Sequence, residues 1–141
     1  MTVFLDTSTL FKLYHRESGT DDLEQMFSLN TVDAVFLSAL SKVEFRSIVW
    51  RRLRMKELSR EQAHTILTLF SQDLDRYRFI DIDERLLQTA CGLIDKHGLN
   101  GLRSLDALQL ASAVTVREQV TLYKTADRLL NDLFKTEGLP V

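Results

Sequence analysis

The chain of 141 residues is 45% hydrophobic and 27% charged, the balance of a globular domain long enough to bury a core without staples. Its one cysteine, Cys91, excludes an internal disulfide, and no apolar run approaches the roughly 20 residues that cross a bilayer, so a cytoplasmic location is expected. A net charge of −2 lacks the basic excess of most nucleic-acid binders. It excludes none, however, because four acids gathered round a cation would leave the remainder net positive.

One proline, Pro140, and five glycines form no linker, and a single domain over residues 1–141 is expected. The elements follow in chain order. Val3–Leu5 is predicted as a buried strand, with a helix starting at Thr7. Ala34–Leu37 is a second strand, followed by a long helix over about Leu40–Lys56. Leu58 to Gln62 reads as a helix N-terminus, with Ser59 as cap and Gln62 at the capping-box position. Phe79–Ile82 is a third strand, and Asp83 caps a helix over Glu84–His97 that Gly98 is expected to stop. Ser104 opens a helix through about Arg117. Val120–Tyr123 is a last strand before the helix Arg128–Thr136. Strands alternating with helices imply an α/β fold, a three-layer α/β/α sandwich with a mostly parallel central sheet. In such sheets ligands sit beyond the carboxyl ends of the strands.

Four acids are placed to use that edge. Asp6 ends the first strand and Asp127 follows the last; either also reads as an N-cap. Leu40, Glu44 and Ile48 share one helical stripe with Val43 beside it, so Glu44 is expected on a core-directed face, where a carboxylate needs an arginine partner or a metal. Asp106 opens the apolar helix SLDALQLASAV, where it either complements the helix dipole or faces the same edge. Four carboxylates in one pocket repel one another, and a hard cation with oxygen ligands, Mg²⁺ or Mn²⁺, relieves that conflict. His15, His64 and His97 lack the spacing of zinc ligands and read as surface or capping residues.

The blocks FLDTSTLFKLYHRESG, SALSKVEFRSIVWRR, RSLDALQLASA and TADRLLNDLFKTEGLPV together resemble the PIN-domain family, in particular the VapC-type toxins of prokaryotic toxin–antitoxin pairs. The resemblance spans essentially the whole chain. It implies a Mg²⁺-dependent endoribonuclease with Asp6, Glu44, Asp106 and Asp127 as its metal-binding catalytic acids. It also implies Ser8 and Thr125 as hydroxyls supporting the first and last acids, an RNA substrate, a cognate antitoxin and a homodimer. Two residues depart from the family pattern. Gln109 stands where many relatives have histidine and reads as a packing change. Lys124 replaces an apolar strand residue, and it is expected either to shorten the strand or to pair with the acids. The segment Ile48–Arg54, with Trp50 among arginines, reads as a solvated helix face or as a contact surface for RNA or a partner chain. An orphan RNA-processing nuclease without antitoxin and an inactive binding module of the same fold stay open as alternatives.

Overall fold

The computed structural model describes residues 1–141. Four strands, β1 (Thr2–Leu5), β2 (Ala34–Ser38), β3 (Tyr77–Ile80) and β4 (Leu122–Lys124), form one sheet in the order β3-β2-β1-β4. Every neighbouring pair is parallel. Seven helices surround it: α1 (Thr7–Phe11), α2 (Thr20–Leu29), α3 (Ser41–Arg54), α4 (Arg60–Asp73), α5 (Glu84–His97), α6 (Ser104–Thr115) and α7 (Arg128–Thr136).

Strand alternation divides the apolar residues between two cores, because successive side chains point to opposite faces. Phe4, Phe36 and Tyr123 face a core shared with α5, α6 and α7. Val3, Leu5 and Leu37 face a second, shared with α1, α3 and α4. This is the three-layer α/β/α sandwich expected from the alternating elements. The chain runs from β1 to β2 on one side and returns from β3 to β4 on the other. The crevice at the carboxyl ends of β1 and β4 is therefore the switch point where such sheets bind ligands.

Local signals hold in several places. Ser59 and Gln62 form a complete capping box at the start of α4, and Asp83 caps α5 through the Leu86 N–H. Others shift. The third strand begins and ends two residues before the predicted Phe79–Ile82, because β2 runs out at Ser38 opposite Ile80. The last strand is displaced towards the C-terminus, since β1 pairs Val3–Leu5 with Leu122–Lys124. Lys124 therefore extends that strand instead of shortening it. Gly98 keeps a right-handed φ of −57° and starts a 3₁₀ turn, while Gly101, at φ +92°, reverses the chain. Only glycine adopts such a φ without a steric penalty. Helix α2 lacks a clear apolar stripe, since its TDDLEQMFSL buries just Thr20 and Leu23, and no element was expected there. No helix is long and apolar enough to cross a membrane.

Helix α3 departs from expectation in a way that matters for the site. Its inward stripe is Ser41, Phe45 and Val49, all fully buried. Leu40, Glu44 and Ile48 lie one position over and are half-buried, and Val43, taken as core-facing, is 66% exposed. Phe45 anchors the helix: its ring stacks on Phe70 at 4.0 Å and meets Tyr14 edge-on at 5.3 Å. Replacing Phe45 by Ala should therefore cost about 3–5 kcal/mol of unfolding free energy. Val43→Ala should change it by less than about 0.5 kcal/mol. Urea titrations of the two variants measure both, and equal losses would return Val43 to the core.

Candidate active site

Asp6 leaves the end of β1 and caps α1, its Oδ1 accepting the Thr9 N–H at 3.0 Å. Asp127 repeats this after β4, capping α7 through the Leu130 N–H at 2.7 Å. The capping reading of both residues is therefore correct, and capping does not compete with a second role. Each carboxylate caps a helix start through Oδ1 and also lines the crevice. Asp106 lies in the first turn of α6, and Glu44 in the first turn of α3. All four line one open cavity of about 340 Å³, together with Thr7, Ser8, Ile48 and Gln109.

The four acids differ in support. Asp6 is 4% exposed and receives hydrogen bonds from the Ser8 hydroxyl at 3.0 Å and the Thr125 hydroxyl at 2.5 Å, besides the Thr9 amide. Both hydroxyls expected to support the first and last acids thus converge on the first. Thr125 touches the last acid only by accepting the Asp127 N–H at 3.0 Å, which ties the β4 turn to Asp6. Glu44 accepts the Thr7 hydroxyl and the Gln109 amide, each at 2.8 Å, and forms no ion pair. The arginine alternative fails because Arg52 turns away to Glu17 and Glu57 and lies over the Phe11 ring. Asp106 accepts no hydrogen bond from the protein, and Asp127 stands exposed at the rim.

Electrostatics bind three of these acids into one cluster. Burial pushes the Asp106 carboxyl above the usual range, and the negative charges of Asp127 and Asp6 push it further; Arg103 opposes them. Burial also raises Asp6, against the lowering effect of its hydrogen bonds to Thr125, Thr9 and Ser8. Ionised Asp6 and Asp106 are thus under-compensated in the bare protein. No three acidic, histidine or cysteine side chains close round an ion as a ready-made cage. That openness, with an all-oxygen donor set, fits Mg²⁺, which takes one or two carboxylates and keeps several waters. At roughly 30 Å³ per water, the cavity accommodates a partly hydrated ion. No histidine or cysteine of the kind zinc favours lines the cavity. His97 is buried against Glu137 at 3.4 Å and caps no helix through its side chain, contrary to the expected surface or capping place; His15 packs on Phe11 and His64 is exposed.

The two departures from the family pattern resolve differently. Lys124 shares its sheet register with Leu5 and lines a separate cavity with Lys12 and Asp22, so it pairs with none of the four acids. Gln109 is no packing change. It is 3% exposed on the inner face of α6, and its amide reaches Glu44, Thr7 and Ser41. A polar residue amid the apolar helix SLDALQLASAV, one turn beyond Asp106, was the available signal. Thr7 and Ser41 were detectable only as hydroxyls beside the acids.

Known proteins share this fold and much of this sequence. The chain is 33% identical to ribonuclease VapC46 of Mycobacterium tuberculosis over 140 residues, covering 99% of this chain and 95% of that one. Among solved structures, it superposes on FitAcB from Neisseria gonorrhoeae with a TM-score of 0.72 at 19% identity, covering 99% of this chain and 95% of that one. The toxin VapC20 of Mycobacterium tuberculosis, described as cleaving the sarcin–ricin loop, gives 0.68 at 15% identity, with coverages of 93% and 94%. VapBC2 from Rickettsia felis, bound to a DNA fragment from its promoter, gives 0.62 at 18%, with coverages of 94% and 92%. The family model for the PIN domain matches residues 3–133. The chain belongs to the PIN-domain family.

Proposed function

We propose that the protein is a Mg²⁺-dependent endoribonuclease, the toxin of a VapBC-type toxin–antitoxin pair, with Asp6, Glu44, Asp106 and Asp127 as its site. The observation that carries this reading is the shared cavity of four carboxylates at the β1–β4 switch point, with Asp106 destabilised by burial and then by its neighbours' charge. Full-length similarity to a protein named as a ribonuclease supports the activity. The toxin–antitoxin complexes among its structural neighbours support the partner.

The side chains grade from floor to rim. Asp6, buried and held by three residues, is the fixed point. Asp106, with no protein donor, has the most to gain from a cation, and exposed Asp127 meets the incoming phosphodiester first. These carboxylates would hold a divalent cation, which would supply positive charge at the phosphoryl oxygens and acidify a water for attack near neutral pH. The cavity is open to solvent, as a polymeric substrate requires. An antitoxin segment bringing an arginine to these carboxylates would block the same site, since the guanidinium fork matches carboxylate geometry. The exposed Trp50 and Val43 on α3 offer apolar surface to such a segment.

The purified protein should cleave RNA oligonucleotides with Mg²⁺ or Mn²⁺ and stop on addition of EDTA. Undiminished cleavage after exhaustive chelation would contradict the metal requirement. Lys124→Ala should leave Mg²⁺ affinity unchanged in a calorimetric titration; tighter binding would mean that the lysine does offset the acids.

The raised Asp106 carboxyl gives a stability prediction with a definite sign. A carboxyl raised above its unfolded value near 3.8 stabilises the fold below that value, where it is protonated in both states. The contribution is lost as pH rises through the folded value. At neutral pH the bare protein therefore carries Asp106 at a cost that Asp106→Asn removes. The variant should melt above wild type in EDTA at pH 7, with the gap closing as pH falls through the raised folded value towards 3.8. Added Mg²⁺ should raise the wild-type Tm and leave that of the variant unmoved, because a ligand stabilises only the state that binds it. A wild-type melt indifferent to Mg²⁺, beside a fully active variant, would reduce Asp106 to a helix-dipole charge.

A further inference from the structure

Gln109 holds an unusual position for a buried amide. Its Nε2 lies 2.8 Å from Glu44 Oε1, 3.0 Å from Thr7 Oγ and 3.3 Å from Ser41 Oγ. Its carbonyl Oε1 is buried without a hydrogen-bond partner. The opposite amide orientation would set a carbonyl oxygen against a carboxylate oxygen, two acceptors with no proton between them. Glu44 therefore dictates the orientation, and the orphaned carbonyl is its consequence. A residue kept only to fill space would be apolar, since leucine occupies a similar volume and leaves no acceptor unsatisfied.

The amide also acts at one remove. Thr7 Oγ accepts from Gln109, which turns the threonine's own hydrogen towards Glu44 Oε1 at 2.8 Å. Ser41 Oγ, 2.9 Å from Thr7 Oγ, completes the cluster. Two donors thus converge on one oxygen of Glu44. The other oxygen, Oε2, receives no protein donor and is left for the cavity that Glu44 lines.

We propose that Gln109 is a positioning residue, whose amide fixes the rotation of the Glu44 carboxylate directly and through Thr7 so that Oε2 is presented to a divalent cation. The proposal rests on the metal-dependent reading given above. It assigns Gln109 a role towards the ion without direct contact. Outer partners that orient a ligating carboxylate commonly govern metal affinity by 10–100-fold.

The test is Mn²⁺ binding by titration calorimetry on the full chain, with melts in EDTA as the folding control. Gln109→Leu should bind Mn²⁺ about tenfold more weakly, yet melt at or above wild type in EDTA because it removes the orphaned carbonyl. Gln109→His, which carries a ring N–H at similar reach, should recover most of the lost affinity. If the amide works through Glu44, Glu44→Gln/Gln109→Leu should bind no more weakly than Glu44→Gln alone, the non-additivity of a shared path. Wild-type affinity in Gln109→Leu would overturn the proposal while leaving the nuclease reading intact. So would a Gln109→Leu penalty of equal size in both backgrounds. A wild-type protein that binds no Mn²⁺ would remove both readings together.

Discussion

The structure turns on a carboxylate that the fold buries at the end of its central strand. Asp6 is almost wholly shielded from solvent. It survives there through the hydroxyls of Ser8 and Thr125 and the amide of Thr9, and those donors compensate the burial only in part. Much of the architecture serves to assemble them. β4 must pair with β1 so that Thr125 arrives beside Asp6, and α1 must begin at Thr7 so that its first turn supplies an N–H. The parallel order β3-β2-β1-β4 creates the crevice, and the crevice collects the remaining acids.

Helix capping and function are compatible here because a carboxylate has more than one acceptor site. Asp6 and Asp127 each hold a helix start with Oδ1. Capping alone does not explain Asp106, which accepts nothing from the protein and is pushed up by burial and by Asp127 and Asp6. A fold selected only for stability would not place an unsupported acid beside two others. The cost is intelligible when a cation offsets it, and a cation that keeps its own waters does not need a closed cage of ligands.

Much of this could be read from the residues. Strand, acid, helix start is a local pattern, so Asp6 and Asp127 were visible from their neighbours, and the alternation of elements implied the layered sheet. Glu44 was identified by its stripe with Leu40 and Ile48, although the true inward stripe is one position over and Val43 faces solvent. A helical face deduced from three residues tolerates such a rotation, whereas packing of Phe45 against Phe70 and Tyr14 decides it. Strand ends were less legible, because β3 and β4 stop where their partners stop. Short-range patterns carry no information about register between strands as far apart in the chain as Val35 and Tyr77 or Val3 and Leu122. Gln109 and the convergence of Ser8 and Thr125 on one acid depend on contacts between distant segments, which no spacing encodes.

The central claim is that the four-acid crevice is a divalent-metal site. Diffraction from crystals grown with Mn²⁺, recorded at the manganese absorption edge, tests it most directly. The account predicts an anomalous peak inside the crevice at about 2.1 Å from carboxylate oxygens of Asp6 and Asp106, with waters completing the coordination. A crevice without a peak at saturating Mn²⁺, or a peak held elsewhere while these carboxylates keep only their protein partners, would contradict it.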